Sequence, residues 1–287
     1  MDIALASCLG IPDPDVDRAP LEAALTAAGL RCAHPCWDDP AVDWSVPRIT
    51  LLRATWNYAL KREQFLAWAE ATAVSSVLWN PLPVVRWNTH KRYLFELEAR
   101  GVAIAPTVLV PRGDAEPLAA ILARRGWSDV VVKPAVSAGS YRTLRVGRDN
   151  LAAGEAHLRA LAAEREVLVQ QYLPAVEGYG ERSLVWIDGA LTHAVRKSPR
   201  FEGQAESVSP QAMEIRPVEA ALAEQALACV EPLTGSRLLY ARVDMTPGPE
   251  GTPVVMELEL VEPSLFFVQG PEALTRIVAA LQRELHA

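Results

Sequence analysis

Apolar positions along the chain fall into two kinds of segment that alternate from end to end. Short, largely apolar runs typical of buried strands occur at 3–6, 49–52, 130–134, 143–146, 167–172, 239–244 and 254–260. Segments with helical spacing of apolar positions occur at 21–28, 62–72, 117–125, 151–163, 218–230 and 272–285. This alternation predicts an α/β fold of packed layers and disfavours a helical bundle or a β-sandwich.

A boundary is expected near the end of the first third of the chain. Two prolines precede a helix that Asn88 or Thr89 is expected to cap, with Gly101 ending it after residue 100. We therefore expect an N-terminal α/β domain over 1–88 and a second domain over 89–287.

A tight hairpin is predicted in the second domain. Asp188 and Gly189 separate the strands 182–187 and 191–196, and this dipeptide is a strong signal for a two-residue turn. The polar stretch 197–213 has no periodicity and is expected to form a long loop of the kind that often carries function.

Composition and charge narrow the class of protein. The 287 residues include 28 Lys and Arg and 35 Asp and Glu, for a net charge of −7 that argues against binding a nucleic-acid backbone. With 50% hydrophobic residues the chain is expected to fold into a compact core. The start lacks a basic leader and no apolar run reaches the ~18 residues of a membrane span, so we expect a cytoplasmic protein without a membrane partner. The four cysteines are too few and too irregular for a disulfide framework.

Phosphate-binding chemistry is indicated by one strand and its loop. Neither common glycine-rich nucleotide fingerprint is present, but Lys133 ends an apolar strand and is followed by the small-residue loop 137–140. Such a loop offers backbone N–H groups to phosphate oxygens, and the lysine supplies a point charge. The same pattern is also typical of a strand-end lysine before an ordinary turn.

A set of acidic residues near the C-terminus indicates a metal site. Glu257 and Glu259 are two apart in a strand and therefore share one face, and Asp244 ends the preceding strand. If the two strands are neighbours, three carboxylates converge, and such a cluster favours Mg²⁺ with a nucleotide. A solvated polar strand face is the alternative. Glu262 cannot be placed from strand geometry.

The sequence leaves two possible roles for two arginines of the hairpin. Arg182 begins one strand and Arg196 ends the other, so both could reach a phosphate or form surface salt bridges.

The order of these features resembles the ATP-grasp superfamily. A lysine on the boundary helix, Lys91, is followed by Lys133, the Ser/Gly loop, a hinge strand, the acid and arginine hairpin and the final carboxylates. The segments 52–58 (LRATWNY), 79–81 (WNP) and 86–93 (RWNTHKRY) resemble the branch with the cyclo-ligase that closes the cycloserine ring from O-ureidoserine. The resemblance covers nearly the whole chain.

The resemblance implies an N-terminal α/β domain, a central lid at about 106–170 and a C-terminal subdomain that binds ATP and Mg²⁺. It also implies roles for individual residues. Those expected to hold ATP are Lys91 and Lys133 at the α- and β-phosphates, Ser137, Gly139 and Ser140 over the phosphates, Gln170, Gln171, Tyr172 and Leu173 at adenine, and Glu181 at the ribose. Those expected to act in catalysis are Lys133, Arg242 and Arg196, the last at the γ-phosphate; those expected to hold Mg²⁺ are Asp244, Glu257 and Glu259. Many members have Asn where this chain has Glu259, so the metal geometry stays open.

Substrate residues are expected after the second strand of the N-terminal domain. Arg53, Thr55, Trp56 and Asn57 could face the cleft, with Arg53 as a clamp for a substrate carboxylate. The family activates a carboxylate as an acyl phosphate that a nitrogen nucleophile then attacks. Ring closure on a small amino-acid-like substrate, an intermolecular amide or dipeptide ligase, and a non-catalytic ATP-binding module are the three functions considered. The superfamily is compatible with a homodimer.

Overall fold

Three four-stranded sheets organise the chain in the computed structural model, which describes residues 1–10, 14–114, 116–198 and 207–286. The strands are β1 (Ile3–Ser7), β2 (Cys32–Ala33), β3 (Ile49–Ala54), β4 (Val77–Trp79), β5 (Thr107–Val110), β6 (Val130–Pro134), β7 (Leu144–Val146), β8 (Val167–Gln171), β9 (Glu181–Ile187), β10 (Ala190–Lys197), β11 (Tyr240–Pro247) and β12 (Pro253–Glu259). The helices are α1 (Arg18–Ala27), α2 (Arg62–Ser75), α3 (Leu82–Asn88), α4 (Tyr93–Glu98), α5 (Leu118–Arg125), α6 (Leu151–Ala162), α7 (Ala175–Gly178), α8 (Pro217–Ala228), α9 (Val230–Thr234) and α10 (Pro271–His286). None of these helices is long and apolar enough to cross a membrane.

The three sheets differ in strand direction. The N-terminal sheet has the order β2-β1-β3-β4 and is parallel throughout, so the carboxyl ends of β1 and β3 lie at one edge. The sheet β5-β8-β6-β7, which we call the lid sheet because it lies in the region expected to form a lid, and the C-terminal sheet, β10-β9-β11-β12, are antiparallel. Ligands of open parallel sheets bind beyond the carboxyl ends of the strands, which directs attention to the edge of β1 and β3.

The C-terminal sheet is covered on both faces because its strands alternate two sets of apolar side chains. Leu184 and Val243 belong to the apolar cluster that includes residues of α4 and α8. Val185 and Ile187 belong to a second cluster with residues of β1, β3 and α10. This packing joins the N-terminal sheet to the C-terminal one and keeps polar residues at one end of the sheet.

The boundary segment differs from expectation. The helix predicted from residue 88 or 89 to 100 is wrong, because α3 ends at Asn88 and a separate α4 begins at Tyr93. Asn88 does not cap a helix: its amide bonds the backbone of Leu258 and Leu260 in and after β12. Thr89 lies at the carboxyl end of α3.

The expected long loop is only partly described. Residues 199–206 lie outside the described part of the chain, but residues that follow them pair with β10. Val208 forms a bridge with Lys197 and Met213 one with Ala194, so this flank is ordered against the sheet edge.

Candidate active site

Carboxylates of two neighbouring strands share one face of the C-terminal sheet. Asp244 of β11 lies directly opposite Glu257 of β12, and Arg242 lies opposite Glu259. Residues that face each other across an antiparallel pair carry side chains on the same side, so these four groups converge. The convergence expected from the strand spacing is therefore found, with an arginine inserted among the acids.

Glu257 is held by two lysines from different parts of the chain. Lys91, in the turn between α3 and α4, places Nζ 2.9 Å from Oε2, and Lys133, at the end of β6 in the lid sheet, places Nζ 2.8 Å from Oε1. The backbone N–H of Lys91 also donates to the carbonyl of Ala135, 2.8 Å away. Two cations that are far apart in sequence thus meet at one carboxylate.

Asp244 is bound by a second pair of cations. Arg242 donates from Nε to Oδ1 at 2.8 Å and from Nη2 to Oδ2 at 2.7 Å, and Lys197 of β10 places Nζ 2.9 Å from Oδ2. Arg242 also bonds Glu259, and Lys197 lies 2.6 Å from Glu181. We call Glu181, Asp244, Glu257 and Glu259, with Lys91, Lys133, Lys197 and Arg242, the ion cluster.

Burial and charge shift the acids of the ion cluster in opposite directions. Burial raises the pKa of a carboxyl group, but at Glu257 the charges of Lys133 and Lys91 outweigh it and lower the pKa. At Asp244 the charges of Arg242 and Lys197 likewise outweigh burial and lower the pKa.

The remaining acids of this face respond differently. Burial raises the pKa of Glu181 to about 7, with Lys197 opposing it, and burial also raises the pKa of Glu259. Glu262, which follows β12, has a pKa raised to about 8 by burial and by the charge of Glu259. This face therefore combines Asp244 and Glu257, whose pKa values are lowered, with Glu181 and Glu262, whose pKa values lie near neutral pH.

The donor chemistry of the cluster fits Mg²⁺, which prefers carboxylate oxygens together with phosphate oxygens. Among the described residues, however, no group of three acidic, histidine or cysteine side chains is arranged to hold a metal ion. The oxygens of Asp244 and Glu257 instead accept hydrogen bonds from cations. The assignment of Asp244, Glu257 and Glu259 to Mg²⁺ stays a prediction.

The small-residue loop after β6 packs against the N-terminal domain. Ser137 is buried, whereas Gly139 and Ser140 are exposed with φ of +57° and 59°. Val136 and Ala138 pack on the apolar cluster of the N-terminal domain. The loop expected over the phosphates therefore lies against the neighbouring domain.

The segment expected at adenine is built into the end of β8. The Gln170 side chain is buried and donates to Thr107 Oγ1 at 3.0 Å, and the Gln171 N–H donates to the carbonyl of Pro106. Tyr172 bonds Glu177 and lies under the guanidinium of Arg145.

Only the last residue of this segment lies on an apolar wall next to β12. Leu173 packs with Ala105, Val254 and Met256. The Gln170 side chain is bonded within the lid sheet, and the Tyr172 hydroxyl is bonded to Glu177 of α7.

The substrate candidates lie at the carboxyl ends of β1 and β3. Arg53 is 3% exposed and donates from Nη2 to Asp17, but its Nε and Nη1 have no hydrogen-bond partner among the described residues. The buried hydroxyls of Thr55 and Ser7 also lack a partner within that part of the chain. Buried polar groups are rarely left unpaired, so these donors point to a ligand.

The two neighbouring candidates have structural partners. Trp56 donates from its indole to the carbonyl of Glu262 at 3.0 Å. Asn57 donates to Asp38 at 2.7 Å and to the carbonyl of Leu9 at 3.3 Å, and accepts from Trp37 at 2.7 Å. The hydrogen-bonding groups of Asn57 are therefore occupied in holding the loop after β1.

The hairpin arginines are placed away from the ion cluster. Arg182 bonds Glu219 of α8, and this salt bridge is buried instead of lying at the surface as expected. Arg196 is exposed and pairs in register with Arg182, on the face of β10 opposite to Lys197. The structure thus brings Lys197 to the cluster in the place expected for Arg196.

Arg196 lies on the face away from the ion cluster because of a shift in the strand pairing. After a regular two-residue turn, residue 196 would face Glu181, but the pairing shifts by one residue between Leu191 and His193. This bulge exchanges the faces of the residues that follow it. The sequence carried no signal for the bulge, so Lys197 was missed.

Comparisons with known proteins agree with this architecture. Residues 3–80 match the family model described as the N-terminal domain of D-cycloserine synthetase DcsG. The chain is similar to the cycloserine biosynthesis protein DcsG of Streptomyces lavendulae, with 33% identity over 283 residues that cover 94% of each chain.

Solved structures show the same fold. The crystal structure of D-cycloserine synthetase DcsG matches with a TM-score of 0.90 and 32% identity, covering 99% of this chain and 100% of the other. The D-alanine–D-alanine ligase of Bacillus anthracis matches with a TM-score of 0.67 and 15% identity, over 100% of this chain and 96% of the other. These matches confirm the expected ATP-grasp fold.

Proposed function

This chain belongs to the D-cycloserine synthetase family of ATP-grasp ligases, and from that membership we propose the reaction of its ion cluster. It is an enzyme that forms carbon–nitrogen bonds at the expense of ATP. The proposed substrate is a small amino-acid-like molecule whose carboxylate is phosphorylated and then attacked by a nitrogen of the same molecule, which closes a ring.

The convergence of Lys91 and Lys133 on Glu257 is the observation that carries this proposal. One lysine comes from the boundary turn and the other from the lid sheet, so both can face a phosphate chain bound between lid and C-terminal sheet. Phosphoryl transfer depends on positioned cations more than on a protein nucleophile. Both lysines bond the anionic carboxylate of Glu257, and a phosphate oxygen is an anion of the kind that the same cations would bind.

The acids complete the phosphate site. Mg²⁺ bound by Asp244, Glu257 and Glu259 would neutralise charge that develops on the transferred phosphoryl group. Arg242 stays anchored through Asp244 and Glu259, with its guanidinium beside the reacting groups. Lys197 is proposed to take the role that the resemblance implied for Arg196.

The proposed reaction has two chemical steps, and neither step needs a nucleophile from the protein. A carboxylate oxygen of the substrate attacks the γ-phosphorus, the bond from that phosphorus to the bridging oxygen breaks, and ADP leaves. The substrate nitrogen then attacks the acyl carbon, loses a proton, and phosphate leaves. The closed 137–140 loop is proposed to keep water from the acyl phosphate, which would otherwise hydrolyse.

The substrate is proposed to lie between the ion cluster and the carboxyl ends of β1 and β3. Arg53, Thr55 and Ser7 supply buried donors there that are not used by other described residues. Trp56, whose indole is fixed to the carbonyl of Glu262, is proposed to close one side of this space. A polar molecule of amino-acid size would satisfy these donors.

The test is a turnover assay with Mg-ATP and a pool of small amino acids that includes O-ureidoserine. We expect ADP, phosphate and a cyclic product, each dependent on both substrate and metal. Glu257→Gln should abolish ADP release, whereas Glu250→Gln, a change in the exposed β11–β12 turn, should leave it unaltered.

Other outcomes of this assay overturn particular parts of the proposal. AMP in place of ADP would mean adenylation instead of acyl-phosphate formation. Product that appears only with a second amine would mean an intermolecular amide ligase. Full turnover by Glu257→Gln would remove that residue from the metal assignment.

A further inference from the structure

Asp17 precedes α1 at a position where aspartate usually caps the helix. A capping aspartate accepts a hydrogen bond from an N–H of the first helical turn, which stabilises the helix. The Asp17 carboxylate makes no such bond within the described residues, and it is fully buried. Its oxygens are directed to partners outside the helix.

Those partners are the substrate arginine and the loop between β12 and α10. Asp17 Oδ2 accepts from Arg53 Nη2 at 3.0 Å and from the N–H of Leu265, and Oδ1 accepts from the N–H of Phe267 at 2.9 Å. The Arg53 guanidinium also lies 5.9 Å from the centre of the Phe267 ring. One carboxylate thus fixes both a side chain of β3 and the backbone of the 262–267 loop.

The same loop is also attached to the ion cluster, through the peptide group that Asp17 binds. Arg242 donates from Nη1 to the carbonyl of Ser264 at 3.1 Å, directly before the N–H that Asp17 accepts. Asp17 and Arg242 therefore bind the two ends of one peptide group, Asp17 at its N–H and Arg242 at its carbonyl. Any displacement of this part of the loop changes the separation between Arg53 and Arg242.

A buried ion pair is a weak source of stability, because desolvation of the two charges offsets most of their attraction. The Arg53–Asp17 pair also leaves two guanidinium nitrogens without a partner among the described residues. Such a pair is better suited to holding a binding group in place before the substrate arrives, which lowers the entropic cost of the reacting geometry.

We propose that Asp17 is a positioning residue that holds Arg53 and the 262–267 loop in one relative geometry, and thereby sets the distance from the substrate arginine to Arg242. The proposal rests on the proposed function for the substrate role of Arg53. Asp17 itself contacts neither substrate nor ATP in this scheme and acts through the groups that it holds.

The first test needs no substrate and uses amide hydrogen exchange of the full-length protein. Asp17→Asn keeps the shape of the side chain but offers one acceptor oxygen instead of two. We expect the peptide that contains Leu265 and Phe267 to exchange about tenfold faster or more, because at least one of its amides loses its acceptor. Peptides of β11 serve as the internal reference. Unchanged exchange at both amides would overturn the proposal.

The matched control is Asp2→Asn. Asp2 also accepts from an arginine side chain and a backbone N–H, both of Arg31, but it does not touch the 262–267 loop. The control variant therefore distinguishes the effect of replacing an aspartate in the N-terminal domain from the effect of losing the contact with the loop. Equal acceleration of the loop peptide in both variants would mean a general loosening and would contradict a specific role for Asp17.

The second test separates substrate binding from catalysis of the bound state. In Asp17→Asn we expect the KM for the amino acid that supports ADP release to rise about tenfold, with the KM for ATP unchanged. In an Arg53→Gln background the same change should raise the substrate KM by less than about twofold, because its route through Arg53 is already lost. If the double variant instead raises the substrate KM by the product of the two single-variant factors, Asp17 acts independently of Arg53.

The two tests also separate the two proposals. A wild-type protein that releases no ADP with any pool member counts against the proposed function, while the exchange experiment still decides the role of Asp17 toward the loop. If Asp17→Asn does not fold, exchange in Asp17→Glu provides the second variant, since the longer side chain keeps the charge but moves both acceptor oxygens that bond Leu265 and Phe267. Exchange of these two amides as slow as in the wild type would overturn the proposal.

Discussion

Asn88 provides the sharpest test of how the acid-bearing strand is held. Its side-chain amide donates to the carbonyl of Leu258 at 2.8 Å and accepts from the N–H of Leu260 at 2.9 Å. These two residues flank Glu259, so the amide takes the place of a neighbouring strand at this edge of β12. The Tyr93 hydroxyl accepts the N–H of Leu258 at 3.1 Å and supports the same segment.

The energetic effect of Asn88→Ala follows from the groups left behind. Leu258 and Leu260 are buried, so a carbonyl and an N–H would lose their partner away from water. Each unsatisfied buried group costs about 1–3 kcal/mol, and partial relaxation makes about 3 kcal/mol the expected total. The melting temperature should fall by roughly 5–10 °C.

The effect on activity follows from the position of Glu259. A released β12 end shifts Glu259 relative to Arg242, and kcat for ADP release should fall about tenfold or more. Thermal unfolding followed by circular dichroism and an ADP-release assay measure the two effects.

Asn150 supplies the matched control in the lid. Its amide also bonds two backbone groups two residues apart, the carbonyl of Arg145 and the N–H of Gly147, but at a site open to solvent. Asn150→Ala should cost less than about 1 kcal/mol because water replaces the lost bonds. Equal losses in the two variants, or an Asn88→Ala protein with normal stability and kcat, would refute the reasoning.

Three further outcomes are expected. Burial, and then the charge of Glu259, raises the pKa of Glu262 from 4.5 to about 8, so the folded state keeps a proton that the unfolded chain releases; this stabilisation is complete below pH 4.5 and is lost as the pH rises through 8. The melting temperature of Glu262→Gln should therefore rise relative to that of the wild type as the pH increases from 5 to 8.5. A difference between the two melting temperatures that does not change with pH would contradict the raised pKa. Lys197→Ala should lower kcat about 10²-fold while Arg196→Ala changes it less than about threefold, and the reverse order in the ADP assay would contradict the assigned faces of β10. Arg182→Ala removes a buried partner of a carboxylate in α8 and should cost about 3 kcal/mol of unfolding free energy with kcat per folded molecule unchanged; a selective loss of kcat would assign it to the site.

The main helices and strands could be predicted because their signals are local. The spacing of apolar residues indicated α2, α5 and α6 and the strands β6 and β8 within a few residues of their ends. Very short elements such as β2 and β4 were not predicted, since two or three residues show no periodicity. The helix expected from residue 88 was wrong because the Asn88 amide bonds a strand about 170 positions away.

Part of the candidate site was also visible in the sequence. The two-residue spacing of Glu257 and Glu259 was enough to predict that these acids share a face. Asp244 was expected to end its strand, which is wrong because β11 continues to Pro247, but it still lies opposite Glu257. The role of Asp17 was not visible, because an aspartate before a helix is typically interpreted as a cap. Its partners Arg53 and Leu265 are separated from it by 36 and 248 positions.

The hairpin marks the division between local and tertiary information. The Asp188–Gly189 turn and its two strands were determined by the sequence, because turn chemistry and alternation act over a few residues. Which cation reaches the acids was decided by the tertiary structure, where the bulge beside Thr192 brings Lys197 opposite Glu181. Strand register depends on packing against distant elements, and a shift of one residue moves every following side chain to the other face of the sheet.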